Sequence, residues 1–338
     1  MIQNQRHLML ALAMTGIAIA NSACEPADDS HARADSLETT AQEIDQPAPD
    51  IRTVNADLVV PEIDPDNQDA KPGKRLFQTL ANGRHPNLQY VLYLPTDYVA
   101  DGEKTYPVIV ELSGNGGYKN RFGDTSHGVP EGSNLGYGMS GGKGFIWVCI
   151  PFVEVDQTTD RWETSTWWWG KAPDFDPKPT VSFCQQVVDD IAKRHAIDSE
   201  RIVLTGFSRG AIACNLIGLY DDEIAKLWCG FVPYSHYDGP RDWSLPEADS
   251  KSAKQRLKRL NGRPQFICSE SSSMTHNPQL KEAQEWIKAT GIEGDFTFRS
   301  TGFRNHNDAW VLRPSKARTD LRTWLMRVTR KPNKANVE

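Results

Sequence analysis

The chain has 338 residues, 38% of them hydrophobic and 24% charged, a balance that excludes both a disordered polymer and a protein of many membrane spans. Its net charge of −6 is uneven: one base and no acid in residues 1–24, 13 acids against two arginines in residues 25–70, and 35 bases against 31 acids from residue 71 onward. That last portion has only a slight positive excess and no basic block, which excludes the electrostatic footprint of a nucleic-acid binder.

At the amino terminus, Arg6 and His7 precede an apolar run over residues 8–20, with small residues after it, the layout of a secretory signal peptide. The run is short for a bilayer span. The protein is therefore expected to be exported, to a periplasm, a cell envelope or the extracellular space. Two processing sites stay open. Ala18-Ile19-Ala20 offers cleavage after Ala20. Asn21-Ser22-Ala23-Cys24 is similar to a bacterial lipoprotein signal, with Asn21 where a large aliphatic residue is usual. A lipid on Cys24 is the only membrane attachment expected.

Residues 25–70 are acidic, rich in Pro, Ala, Ser and Thr and poor in aromatics, so they are expected to form an unstructured spacer. Asp64, Asp66 and Asp69 lack the glycine and spacing of a calcium loop, and no metal site is expected there. From residue 71 to 338 strands alternate with helices. Strands are expected at 88–94, 108–112, 145–152, 202–205, 231–234, 264–268 and 296–300, several of them unbroken apolar runs of the kind covered on both faces. Helices are expected at 180–196, 209–220, 250–260, 278–290 and 315–330; Asn277 and Pro278 mark the start of the fourth and Gly291 its end. Such alternation implies one α/β domain with a mainly parallel sheet flanked by helices. Cys149 and Cys268 lie in apolar strands and are expected in the core, while Cys184, Cys214 and Cys229 leave room for one disulfide.

Two stretches fit G-x-S-x-G: Gly138-Met139-Ser140-Gly141-Gly142 and Gly206-Phe207-Ser208-Arg209-Gly210. The motif carries chemistry only where a strand ends in a sharp turn and a helix starts at once, because that elbow lifts the serine hydroxyl above the sheet edge. Ser208 follows the strand-like RIVLT and precedes a helix, so it is the expected nucleophile; Ser140 sits in a glycine-rich stretch expected to be a flexible loop. A serine needs a base, and His306, in the loop TGFRNHNDAW after the last strand, is the expected one, with His276 its rival. The acid that orients it is expected to be Glu270, at the end of strand 264–268, with Asp238 of YSHYDG as the alternate.

Backbone amides must receive the tetrahedral oxyanion. The Arg209 amide, next to the nucleophile, is one expected donor, and Gly114 or Asn115 of Ser113-Gly114-Asn115-Gly116-Gly117 is the other. Trp167, Trp168 and Trp169, in a loop after the strand at 145–152, offer ring faces for a sugar or an aromatic acyl group, or else pack that loop. Arg209, Arg304, Asn305 and Asn307 are candidates to meet a carboxylate or hydroxyls at the mouth, or to pair with Asp308.

With YVLYLPTDY, YPVIVELSGNGG, DSERIVLTGFSRG and NHNDAW, residues 76–330 resemble the α/β-hydrolase superfamily, and within it the secreted esterases grouped with polyhydroxybutyrate depolymerases, feruloyl and acetylxylan esterases and predicted peptidases. The resemblance implies an α/β-hydrolase fold. That group usually carries a His-Gly-x-Gly-like oxyanion loop and an Asp in the acid loop, where this chain has Ser113 and Glu270. The expected function is that of an exported serine carboxylic-ester hydrolase with no metal or organic cofactor, acting on a small ester or an acylated polysaccharide. A peptidase of related fold and a non-catalytic glycan-binding envelope protein are the alternatives.

Overall fold

The computed structural model describes residues 46–66, 69–100, 103–170, 175–273 and 277–331; the expected signal peptide, Cys24, the first part of the acidic spacer and His276 lie outside the described residues. Strands β1 (Arg75–Gln78) and β2 (Tyr90–Tyr93) form an antiparallel pair and lead into β3 (Tyr106–Leu112). A small hairpin of β4 (Tyr118–Lys119) and β5 (Thr125–Ser126) and the helix α1 (Leu135–Ser140) precede β6 (Ile146–Ile150). A second hairpin, β7 (Phe152–Asp156) with β8 (Arg161–Ser165), stands apart from the main sheet. The long helix α2 (Lys178–Arg194) then leads to β9 (Ile197–Phe207), which passes through one residue into α3 (Arg209–Leu216). There follow α4 (Asp222–Ala225), β10 (Gly230–Tyr234), α5 (Ser250–Leu257), β11 (Gly262–Ser269), α6 (Pro278–Thr290), β12 (Gly294–Ser300) and α7 (Lys316–Val328).

The main sheet has eight strands in the order β1-β2-β6-β3-β9-β10-β11-β12. Pairings β1/β2 and β2/β6 are antiparallel and all the others parallel. Successive side chains of a strand point to opposite faces, and here both faces are apolar. Val108, Val110, Ile202 and Leu204 pack with Phe183, Val187 and Ile191 of α2 and Ile212 of α3. Ile109, Trp147, Cys149 and Val203 pack with Leu135 of α1 and Leu321, Trp324 and Leu325 of α7. Each fully buried aliphatic side chain contributes about 1.5–3 kcal/mol of transfer free energy, so the two cores hold the sheet rigid under the loops at its edge.

The expected strand at 145–152 is divided, because Pro151 cannot donate to a ladder and separates β6 from β7. Strands β1, β4, β5 and β8 are two to five residues long and were not legible as apolar runs. Helix α6 begins and ends as expected: Asn277 Oδ1 accepts the Leu280 N–H at 3.1 Å and Gly291 closes the helix at φ +70°. Ser140 is not in a flexible loop but ends α1, its Oγ donating to Gly136 O at 2.9 Å. A Cβ at Gly136 or Gly138 would strike the Trp147 ring or Val311, so those glycines serve close packing of this helix. No disulfide joins Cys184, Cys214 and Cys229: all three are free thiols, and burial pushes Cys184 up to about 12 and Cys229 to about 11. Among the described residues no helix is long and apolar enough to cross a membrane.

The expectation of an unstructured spacer as far as residue 70 fails for residues 46–66, which lie on the domain. Ala48 and Ile51 are buried, Pro47 bridges to Ser273, and Ile63 bridges to Arg75. Asp57 and Leu58 donate their amides to Leu312 O, and Arg318 grips the Asp57 carboxylate through both terminal nitrogens. Average composition hides this because a few apolar side chains and two paired aspartates suffice to seat the segment.

One polar group is placed deep in the sheet. Glu111 of β3 is fully buried; its Oε1 accepts the Leu135 N–H at 3.0 Å, and its Oε2 accepts Gly136 N–H and Trp147 Nε1–H, each at 2.8 Å. These bonds fasten the first turn of α1 to the sheet. In Glu111→Gln, either amide orientation sets an NH₂ against at least one of these donors. The variant should unfold with about 1–3 kcal/mol less stability in urea titration.

Candidate active site

Strands β3, β9, β10, β11 and β12 run parallel, so the loops that follow them gather at one edge of the sheet, the edge where open α/β sheets bind ligands. Ser208 follows β9 at φ +55°, ψ −112°. A non-glycine residue at positive φ costs about 1–3 kcal/mol and persists only where its surroundings impose it. Here they do, because a Cβ on Gly206 would strike the Gly210 carbonyl and a Cβ on Gly210 would strike Leu112 O, so three backbones meet at the turn.

His306 Nε2 lies 3.0 Å from Ser208 Oγ, and His306 Nδ1 lies 2.8 Å from Glu270 Oε1. With Nδ1–H donated to the carboxylate, Nε2 is left to accept the Ser208 hydroxyl proton. Ser208, Glu270 and His306 are thus brought together, with Glu270 rather than Asp238 at the imidazole. Asp238 is buried elsewhere and fully engaged by Arg256, Nε and Nη2 lying 2.9–3.1 Å from its two oxygens. The imidazole is 8% exposed and is walled by the rings of Tyr118 and Phe207, both at 4.7 Å.

Sequence reasoning missed the residues that hold the histidine loop. Tyr234 OH is shared by the carbonyls of Asn305 at 3.0 Å and Asn307 at 3.1 Å. Asp124 accepts the His306 amide and the Asn305 side-chain amide, and Asn305 Oδ1 accepts the Ile51 N–H at 2.8 Å. Arg304 donates its amide to Pro49 O and its guanidinium to Asp50. The arginines next to Asp50 hold its carboxyl well below the usual carboxylate range, Arg52 more than Arg304. Neither Asn305, Asn307 nor Arg304 is paired with Asp308, whose carboxylate takes Asn134 N–H and Nδ2–H instead. No motif announces these partners, which lie far apart in the chain.

Ser235 was also missed. It follows β10 at φ +88°, is 1% exposed, and its Oγ lies 2.8 Å from His306 Nδ1, 3.1 Å from Glu270 Oε1 and 2.9 Å from His236 Nδ1. Burial, aided by the neighbouring His306, lowers His236 to about 4, so that ring is neutral at neutral pH.

On the opposite side of Ser208 stands the loop after β3. A Cβ on Gly114 would meet Ser126 Oγ and the Phe207 ring, which requires glycine there. Gly114 O accepts from Arg209 Nη2 at 3.1 Å. Because the carbonyl and the next N–H of a trans peptide point in opposite senses, the Asn115 amide faces away from that guanidinium. Neither it nor the Arg209 amide has an acceptor among the described residues. Asn115 Oδ1 accepts the Trp168 N–H at 2.9 Å, tying this loop to the tryptophan loop.

The Arg209 side chain does not reach the mouth as expected. It is 1% exposed, lies over the Phe152 ring at 3.7 Å, and donates to Trp168 O at 2.7 Å and to Gly128 O at 3.3 Å as well as to Gly114 O. The tryptophans divide. Trp169 is fully buried on Phe152 and packs the loop; Trp168 is half-buried with its edge on Trp169; Trp167 is 53% exposed. Trp168 leans on Trp243, Trp243 on His236, and His236 on His306, which makes an aromatic wall leading to the imidazole. Two clefts flank the site, one of 190 Å³ beside Gly114 and Phe207 and one of 460 Å³ beside Glu270 and Arg241.

Two outcomes follow from these supports. Arg209→Met leaves two buried carbonyls and one half-buried one without this donor and should cost at least about 2 kcal/mol in urea denaturation, with Arg209→Lys recovering only part because one ammonium cannot span all three. A chain starting at residue 60 should be less stable by about 3 kcal/mol or more than one starting at residue 45, since Ile51 is no longer buried and Asn305 and Arg304 lose partners.

No family model matches the chain, and no curated protein matches it. Among solved structures it is similar to an S-formylglutathione hydrolase from Agrobacterium tumefaciens, with 16% identity, 78% of this chain and 99% of that one covered, and a TM-score of 0.50. It is also similar to a ferulic acid esterase, with 16% identity, 77% of this chain and 98% of that one covered, and a TM-score of 0.46. A thermostable esterase matches at 16% identity over 71% of this chain and 59% of that one, less than two thirds of its length, with a TM-score of 0.43. Its strand order, the sharp turn at Ser208 between β9 and α3, and the likeness to the S-formylglutathione hydrolase give this chain the α/β-hydrolase fold.

Proposed function

We propose that the protein is an exported serine hydrolase that cleaves carboxylic esters through an acyl-enzyme. The observation that carries this is the continuous chain of contacts from Ser208 Oγ to His306 Nε2 at 3.0 Å and from His306 Nδ1 to Glu270 Oε1 at 2.8 Å, on a strained turn at the sheet edge. Ser208 Oγ attacks the acyl carbonyl as its proton passes to His306 Nε2, and the Glu270 carboxylate orients and stabilises the imidazolium. The carbonyl oxygen becomes an oxyanion received by the amides of Arg209 and Asn115. Collapse expels the alcohol, which takes the proton from His306. Water then attacks the acyl-enzyme, His306 accepts its proton and returns one to Ser208, and the carboxylic acid leaves. These steps call for no cofactor.

Export is supported by the amino-terminal apolar run over residues 8–20, and a lipid on Cys24 would tether the enzyme to a membrane. An acylated polysaccharide is the substrate class favoured by the exposed Trp167 and the aromatic wall of Trp168 and Trp243, against which sugar rings can stack.

The test is fluorophosphonate labelling of the full chain with the labelled peptide identified by mass spectrometry, beside hydrolysis of p-nitrophenyl acetate. Label is expected on Ser208. Ser208→Ala and His306→Ala should each lower kcat by about 10⁴–10⁶-fold and Glu270→Gln by about 10²–10⁴-fold with folding intact, while Ser140→Ala stays at wild-type rate. A folded wild type that takes no label and turns nothing over would direct the proposal to glycan binding, to be read by polysaccharide pull-down with Trp167→Ala.

A further inference from the structure

Glu270 replaces the shorter acid its resemblance implies, and its side chain has one more torsion to restrain. Only its Oε1 is held by the histidine; Oε2 is buried without a hydrogen-bond partner among the described residues. The carboxylate therefore needs a second hold at Oε1, and the one that reaches it is Ser235 Oγ, at 3.1 Å. A hydroxyl has a single proton. If Ser235 gives it to Glu270, then His236 Nδ1, 2.9 Å from the same oxygen, must carry its own proton and donate to Ser235. The row then runs toward Glu270: His236 Nδ1–H to Ser235 Oγ, Ser235 O–H to Glu270 Oε1, and His306 Nδ1–H shared between the same Oε1 and Ser235 Oγ, each at 2.8 Å.

The backbone supports the assignment. Ser235 is held at φ +88°, in the left-handed region that favours glycine, and its amide donates to Cys268 O at 2.8 Å, two residues before Glu270. A strained, fully buried serine with its hydroxyl among two imidazoles and a carboxylate is the pattern of a group kept for its contacts. We infer that Ser235 is a positioning residue of the active site: its hydroxyl, oriented by His236, fixes Glu270 against His306 Nδ1. This rests on the triad proposed above.

The test compares Ser235→Ala, which keeps the strain and removes the hydroxyl, with Ser235→Gly, which removes both and suits the backbone angle. Both are made in the full chain, alone and combined with Glu270→Gln, and assayed on p-nitrophenyl acetate beside thermal melts. Each single variant should lose about 10–100-fold in kcat with KM changed less than about threefold. Ser235→Gly should melt no lower than the wild type, which separates lost positioning from lost folding if Ser235→Ala is unstable. In the Glu270→Gln background, Ser235→Ala should add less than about a twofold loss, because the two residues act as one unit. Wild-type kcat in both Ser235 variants beside an inactive Ser208→Ala would overturn the role of Ser235 and leave the triad standing. The same fold loss with and without Glu270 would overturn it too. Turnover that survives Ser208→Ala would overturn the triad and this role with it.

Discussion

Strand β9 hands over to helix α3 through one residue, Ser208, and this works only because the backbones of Gly206, Gly210 and Leu112 touch with no side chain between them. Any Cβ at either glycine would drive the strand and helix apart, and Ser208 would relax from its positive φ toward a region where its hydroxyl no longer projects above the sheet edge. The remainder of the site is arranged around that fixed point. The amide of Arg209 follows from the turn, the loop after β3 lies against the start of α3 through Leu112 and Ser113, and the ends of β10, β11 and β12 supply what must reach the hydroxyl.

The charges near the turn show how burial sorts function from structure. Arg209 is a buried cation with no carboxylate on it among the described residues; carbonyl oxygens of Gly114, Gly128 and Trp168 and the face of Phe152 replace its water. Removing an ion from water costs several kcal/mol after relaxation, so so many acceptors gathered on one guanidinium are a condition of its burial, and they fix three loops relative to one another. Asp238 and Arg256 solve the same problem as a closed ion pair and take no part at the imidazole. Glu270, by contrast, keeps one oxygen on His306 and Ser235 and the other without a partner among the described residues.

The segment over residues 46–66 shows that composition and placement are different quantities. Its acidity, its prolines and its lack of aromatic residues match an unstructured chain, yet Ile51 is buried, Asp50 pairs with Arg304, and the Ile51 amide completes Asn305, one residue before His306. The segment is thereby packed against the loop that carries His306.

Signals borne by neighbouring residues were legible in the sequence. The alternation of strands and helices, the Gly206–Gly210 elbow at Ser208, the cap at Asn277 and the position of His306 after the last strand are all local, since period, glycine spacing and capping act within a few residues. The division at Pro151, the helix that ends at Ser140 and the burial of Trp169 and the Arg209 side chain were not, because each depends on what packs against the residue rather than on what precedes it. These local signals pointed to the fold class and singled out Ser208 and His306 as the candidate nucleophile and base. Contacts across the fold set Glu270 and not Asp238 against His306, turn Arg209 inward, and gather Ser235, Asp124 and Ile51 around these residues. The reason is physical: those partners come from separate strand ends and loops, and contact between them is set by the order and register of the parallel strands, which no local pattern in the chain records.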